Sequence, residues 1–333
     1  VLIWSWALPF LPGLNSAARA GRPAVPRSRP SLNIAAYERG REHGYLLQEY
    51  RPEDCGWERP DDHTIRWHFG RSRLEQVREN GRLALRIDLD CAVPGTERRW
   101  QGTVRLDGPL RQDPPASDQP LDGPTSHGWS PLSTVASAEA QLDVAGTPFS
   151  LRGRGYHDRN AAEVPLDQLG IAEWWWGRLA FPDRELIWYR LKPEGGGPLE
   201  EAVVTVFPDG SCRIARSEML LTSSWRSIWG LSHPRRLRFR DHGGAEVSVH
   251  VRHRVDDGPF YQRFLVTAER EGVQAHGTAE YVVPARCDTA LMRPFVRMRV
   301  HKDGGPNHSM APFFAGPVHD RIDRVRGTAP ERG

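Results

Sequence analysis

The stretch from Glu173 to Leu191, EWWWGRLAFPDRELIWYRL, holds two apolar-rich runs on either side of Pro182-Asp183. Proline presets φ and aspartate bonds its own backbone in turns, so residues 174–180 and 185–191 are predicted to pair as a β-hairpin. On a strand Trp174 and Trp176 share one face and Trp175 takes the other. Trp188 and Tyr189 on the partner strand extend the same aromatic surface.

The pattern continues in both directions. Residues 31–37 and 45–50 flank a Gly-containing turn and read as another hairpin. Residues 64–69, 83–89, 100–106 and 138–144 read as strands before the aromatic hairpin. Residues 202–207, 211–215, 236–240, 246–254, 260–269 and 272–283 read as strands after it. Leu83, Leu85, Ile87 and Leu89 alternate with Ala84, Arg86 and Asp88, which puts one apolar face toward a core. Strict alternation from Val247 to His253 places His250 and Arg252 on a common face.

Thirty-two glycines and 28 prolines favour turns and short strands over long helices. The one helical signal, residues 288–299, starts at an Asp288 cap and is interrupted by Pro294. Many short antiparallel strands in two blocks predict an all-β fold of two tandem barrels or sandwiches. The expected division is an apolar strap and Arg/Pro-rich connector (1–30), a first β domain (31–160), a second (161–303) and an irregular tail (304–333). Residues 107–131, rich in Pro, Asp and Ser, read as a long loop.

With 333 residues, 38% hydrophobic and 26% charged, the chain has the composition of a water-soluble globular protein. Its net charge of +3 is small, and no Lys/Arg block or RNA-recognition motif is present, which argues against a nucleic-acid partner. The four cysteines are far apart and match no zinc spacing, so reduced thiols and no metal are expected. His301, His308 and His319 likewise match no metal motif. Residues 1–14 (VLIWSWALPFLPGL) are too short and too proline-broken to span a bilayer. They read as a strap packed on the body, with a signal-peptide remnant and peripheral membrane contact as the alternatives. A cytoplasmic location is expected, peripheral to the membrane if residues 1–14 touch it.

The run Arg154 to Asn160 places an acid, an imidazole and an amide just before three adjacent tryptophans. Gly153 and Gly155 permit a sharp or bulged backbone. Tyr156 and Asp158 would point to one side of an extended segment and His157 to the other. One reading makes Asp158 or His157 a proton donor, oriented by Asn160. The other makes the run a polar corner at a domain junction. Trp174, Trp175, Trp176, Trp188 and Tyr189 either line an apolar pocket or fill a core. Twelve tryptophans suggest a deep apolar pocket or a lipid-facing surface, and in a pocket indole faces would stabilise a developing cation. Glu49-Tyr50, Trp67-His68 and Ser126-His127-Gly128 are weaker candidates. No nucleophile elbow, phosphate loop or dinucleotide fingerprint occurs.

These residues together resemble a known family. The Trp4-Ser5-Trp6 start, the Leu32-Asn33 strand and its partner from Tyr45 to Tyr50 are part of the likeness. So are the run from Gly155 to Asn160, the Trp174-x-Trp176-Gly177-Arg178 strand, and Gly277 to Tyr281. The chain resembles the carotenoid 1,2-hydratases, also called hydroxyneurosporene synthases, over roughly residues 1–300. That resemblance implies two lipocalin-like β-barrels and addition of water to the terminal double bond of an acyclic carotenoid. Water is then the co-substrate, no cofactor is needed, and the partner is an apolar isoprenoid. The chain departs from the pattern at Trp175, where the resemblance implies a histidine. It departs again after Tyr189, where an aspartate is implied nearby.

The expectation is thus an enzyme that protonates an isoprenoid double bond and lets water, or a second double bond, capture the cation. Asp158, His157 and Tyr156 are the catalytic candidates. Trp174, Trp175, Trp176, Trp188, Tyr189 and Asn160 are the substrate-binding ones. For Asp158 to be an acid, burial must raise its pKa above the usual ~3.9. The rival expectation is a lipocalin-like carrier of an apolar ligand without catalysis. The two differ on whether Asp158 or His157 opens onto the same space as the indole faces.

Overall fold

A computed structural model describes residues 1–6, 8, 11, 13–22, 25–38, 40–93, 96–112, 127–162, 164–297 and 300–303. Ser126, His308, His319 and the tail from residue 304 lie outside them. The chain is all-β, as its alternation predicts, and its sheets are large and curled.

Strands β1 (Leu2–Ser5), β2 (Ser31–Glu38) and β3 (Arg41–Glu49) open the chain. β4 (Cys55–Glu58), β5 (Thr64–Phe69), β6 (Ser72–Glu79) and β7 (Arg82–Ala92) follow, then the long β8 (Arg99–Pro109), β9 (His127–Val144) and β10 (Thr147–Ala162). β11 (Ile171–Phe181), β12 (Arg184–Pro193), β13 (Glu200–Val206) and β14 (Cys212–Arg216) come next. β15 (Leu220–Arg226), β16 (Ser232–Arg240), β17 (Glu246–Asp257), β18 (Tyr261–Arg270) and β19 (Val273–Val282) follow, and β20 (Val300–Lys302) is last. They form sheets ordered β1-β2-β3-β20, β10-β9-β8-β7-β6-β5-β4 and β14-β13-β12-β11-β19-β18-β17-β16-β15.

Contacts divide the chain into two compact units that are not contiguous in sequence. One takes residues 1–107, 137–153 and the chain from Asp288; the other takes 108–136 and 154–287. The chain crosses between them inside β8, β9 and β10, and again at Cys287/Asp288.

In the first unit the N-terminal segment is woven in. β1 pairs with β2, and β20 adds parallel to β3. Leu8 and Leu11 are buried with Leu47, against Ile3, Tyr45 and Val300, while the rings of Trp4 and Trp6 contact Phe69. A short helix, α1 (Leu14–Arg19), lies within the expected connector. Asp288 does not cap a helix of its own: α2 (Arg293–Arg297) starts five residues later. The Asp288 carboxylate instead accepts the N–H groups of Gly13 (2.9 Å) and Ser16 (2.8 Å), satisfying donors that the first turn of α1 leaves open.

The second unit is built on the nine-stranded sheet, and period-two alternation sorts its side chains. Along β11, Trp175, Leu179 and Phe181 enter a core with Leu186, Trp188, Phe239, Phe264 and Tyr281. Each such large side chain contributes ~1.5–3 kcal/mol by leaving water. Trp176 faces the other way, into a smaller cluster with Ile187 and Val204. Trp129, Val135 and Tyr156, from the parts of β9 and β10 in this unit, cover that cluster.

Two expectations change here. The run Tyr156 to Asn160 is no corner but the inside of a 16-residue strand. The expected loop is shorter, since β8 runs to Pro109 and β9 begins at His127. The first change has a plain cause: β10 is exposed along much of its length and alternates polar with polar, so hydropathy does not mark it. Val251/His253 and Arg254/Asp256 are register shifts in β17. Arg252 bonds Thr267, the cross-strand partner of His250, so these two side chains do share the outer face.

Candidate functional site

The side chains that carry chemistry meet on the outer face of the nine-stranded sheet. Register sets a row across four strands: Tyr189 on β12 lies opposite Trp176 on β11, Trp176 opposite Glu280 on β19, and Glu280 opposite Arg263 on β18. Arg263, only 2% exposed, pairs with Glu280 at 3.0 Å.

β9 and β10 bring the acid to this row. Asp158 Oδ2 accepts two hydrogen bonds of 2.9 Å, one from Tyr156 Oη and one from Trp129 Nε1. The Tyr156 ring lies 5.5 Å from Trp176, and Trp129 meets Tyr189 edge-on at 6.0 Å. The Arg178 guanidinium sits 4.9 Å over the Tyr156 ring and pairs with the fully buried Glu185. The carboxyl thus sits against Tyr156 and Trp129, whose rings reach Trp176 and Tyr189, with the Glu280 carboxylate near enough to act on its charge.

Burial raises the Asp158 pKa above the ordinary carboxylate value, and the negative charge of Glu280 adds to it. Hydrogen bonds from Trp129, Tyr156 and Asn160 oppose the rise without cancelling it. The Tyr156 phenol is pushed well above its usual value, first by burial and then by the Asp158 charge. Tyr156 therefore stays a donor, and the surroundings favour the protonated form of Asp158; burial acts the same way on Glu185, which Arg178 holds.

Of the residues singled out by sequence, Tyr156, Asp158, Asn160, Trp176 and Tyr189 come together. Trp174 lies on the face of Trp176, half-buried. His157 points to the other side of β10, as alternation requires. Trp175 and Trp188 belong to the opposite, inner face. Trp175 stacks on Tyr281 (4.8 Å) and lies 6.1 Å from the His233 ring. The inner space beside Trp175, Trp188 and Met219 is filled, leaving a cavity of about 10 Å³, room for one water at most. The acid and half of the indoles are therefore separated by the sheet.

Three participants escaped the sequence reading. Trp129 was hidden in the presumed loop, where no alternation marked it. Glu280 carried a usable signal, a charged residue between Ala279 and Tyr281 in a strand, whereas Arg263 follows the polar Gln262 and carried none. Among the described residues no cluster of His, Cys, Asp and Glu is arranged to hold a metal ion. No helix there is long and apolar enough to cross a membrane.

Comparison with known proteins agrees with the fold. A crystal structure from Nitrosomonas europaea, assigned as AttH, superposes with a TM-score of 0.54 at 16% identity, covering 78% of this chain and 82% of its own. A hydroxyneurosporene dehydrogenase of Chlorobaculum tepidum is 26% identical, covering 91% of this chain and 83% of its own length. An acyclic carotenoid 1,2-hydratase of Rhodobacter capsulatus is 26% identical over 55% of this chain and 61% of its own. The family model described as carotenoid hydratase CrtC matches residues 15–308, and the chain belongs to that family.

Proposed function

We propose that this protein adds water to a terminal carbon–carbon double bond of an acyclic carotenoid or related isoprenoid, with Asp158 as the acid. Family membership supports the reaction class. The observation that carries the residue assignment is the Asp158 carboxyl, raised by burial and held at Oδ2 by Tyr156 and Trp129 among indole and phenol rings.

The carboxyl proton goes to the less substituted alkene carbon, and the π pair forms the new C–H bond. A tertiary cation remains on the neighbouring carbon. Trp176, Trp129 and Tyr189 present ring faces that stabilise such a charge by up to about 2 kcal/mol when water is excluded. A water lone pair then forms the C–O bond, and the oxonium returns a proton to the Asp158 carboxylate. The net change is alkene plus water to tertiary alcohol, with the acid regenerated and water the co-substrate. Tyr156 positions the carboxyl and Arg178 holds the Tyr156 ring. Trp174 and Asn160 border the substrate side of this face. Trp175 and Trp188 support it from the core, and His157 takes no part.

The test is incubation with lycopene, neurosporene and squalene, with product masses compared. A gain of one water is expected. An isomer of unchanged mass means cyclisation, and loss of two hydrogens means dehydrogenation. Asp158→Asn should lower turnover ~10²- to 10⁴-fold, the usual worth of a general acid. Full turnover by Asp158→Asn removes it from this role. Tight binding with no product makes the protein a carrier.

A further inference from the structure

The hairpin of β15 and β16 forms the far edge of the nine-stranded sheet and is not used by the site above. Residues 220–240 contain five arginines, Arg226, Arg235, Arg236, Arg238 and Arg240, and no acidic residue. All five are exposed. Register puts Arg226, Arg236, Arg238 and Arg240 on the outer face, and Arg236 is cross-strand from His250, next to exposed Arg252 on β17. Arg238 reaches one carboxylate, Glu246, at 3.9 Å. Arg226, Arg235 and Arg236 have no carboxylate partner within 4 Å among the described residues.

The turn joining the two strands carries a large aliphatic side chain outward. Ile228 is 86% exposed, more than any other large apolar residue described. It is held there by a tied backbone. Ser227 N–H donates to Leu231 O (2.8 Å), and Ser227 Oγ accepts the N–H groups of Trp229 and Leu231. Trp229 Nε1 donates to Asp257 O (3.0 Å), and Arg286 donates to Trp229 O (2.8 Å). Gly230, at φ 73°, supplies the left-handed residue this turn needs. Leu220, 49% exposed, lies farther along the same outer face, and Trp225 and Trp229 sit half-buried beside the tip.

From these features we infer that the β15–β16 hairpin docks the protein on an anionic lipid bilayer. Ile228 enters the interface while Arg226, Arg236 and Arg238 meet lipid phosphates. An aliphatic apex beside an arginine-rich hairpin face matches a bilayer surface, which offers hydrocarbon beneath negative charge. Nucleic acid would use the arginines but leave Ile228 in water. The inference does not depend on the hydration reading. Of residues 1–14, Leu8, Leu11 and Leu14 are buried, and this inference places the contact on the hairpin instead.

The test is flotation of the full chain with vesicles of phosphatidylglycerol and phosphatidylcholine, against phosphatidylcholine alone. Binding is expected only to the anionic vesicles and should weaken with salt. Each arginine removed should weaken it about fivefold, so the triple variant R226Q/R236Q/R238Q should bind about 100-fold more weakly. Ile228→Ser should also weaken it, with an unchanged salt dependence. Thermal melting verifies that these surface variants fold. Equal recovery of wild type and variants, or equal recovery on both vesicle types, overturns the inference. So does loss of binding to a DNA oligonucleotide in the triple variant with vesicle binding intact.

Discussion

Trp188 rests against Gly177 so closely that a Cβ on that glycine would lie 2.1 Å from indole Cζ2. The two residues are cross-strand partners, and the glycine vacates the space the indole fills. Gly177→Ala must therefore displace Trp188 from the inner core. Overpacking of this kind costs ~1–3 kcal/mol. A lower denaturant midpoint at unchanged m-value is expected; an unchanged midpoint would show that the indole has room to move.

Tyr156→Phe removes one of the two donors at Asp158 Oδ2 while keeping the ring against Trp176. That donor favours the ionised carboxyl, so its loss should raise the Asp158 pKa further. The acid must be protonated to act, so activity falls as pH rises through that pKa. The alkaline limb of the rate profile should move to higher pH in Tyr156→Phe. A limb in the wild-type place would detach this carboxyl from the rate.

Asp158→Asn should keep or raise stability even as it removes activity. The folded carboxyl has a raised pKa, so the native state loses stability as pH rises from the unfolded carboxyl's ~3.9 to the folded value, and bears the full loss above it. The amide carries no such cost and still accepts from Trp129 and Tyr156. Its advantage should be present near neutral pH and vanish at pH below about 4, where both states are protonated. Melting curves at the two pH values check this. A variant that is less stable at both would mean the carboxylate supports the fold.

His233 is completely buried among Trp175, Trp225 and Phe264, with no hydrogen-bond partner at Nε2. Burial lowers its pKa, and the carbonyl of Pro234 opposes this only in part. Unfolded chains take up the proton below pH about 6.5, so stability is complete above that and declines as pH falls toward the folded value. His233→Leu should flatten this decline, at ~1 kcal/mol for the lost contact to Pro234. Identical acid sensitivity in both proteins would place its source elsewhere.

Asp288→Ala removes the acceptor for Gly13 and Ser16 and the partner of Arg293 (2.9 Å). Burial alone would raise this carboxyl, but the bonds from Ser16 and Gly13 and the Arg293 charge hold it below its usual value. Its contribution is therefore present above pH about 4 and lost as pH falls through the folded value. A loss of ~2 kcal/mol at neutral pH is expected, above the usual worth of a cap because an ion pair goes with it. Equal unfolding free energies at neutral pH would show that water replaces the carboxylate.

The strands that alternate apolar with polar were plain in the sequence, β7 and the β11–β12 pair among them. β10 was not, because Arg152, Arg154, Asp158 and Asn160 give it polar residues at even positions without apolar ones between. The turn at Pro182-Asp183 fixed the register that sets Trp176 opposite Tyr189. The company of Trp176 on its other side was out of reach, since Glu280 is 104 positions away and depends on the pairing of β11 with β19. The same pairing decides that Trp175 is a core residue. Alternation showed that it differs from its neighbours but not which face is the inside.

The N-terminal segment of the first unit is completed only by the last stretch of described chain. Asp288 tethers α1, β20 joins β3, and Asp303 receives the Gln48 amide at 2.8 Å and donates its own N–H to Glu49 O. During synthesis these early residues must wait through the emergence of the entire second unit before they can close. Such sequence-distant closure is slow and leaves apolar surface uncovered meanwhile. The strands of residues 2–49 are therefore among the last parts of this unit to be secured, and their cover depends on residues 288–303.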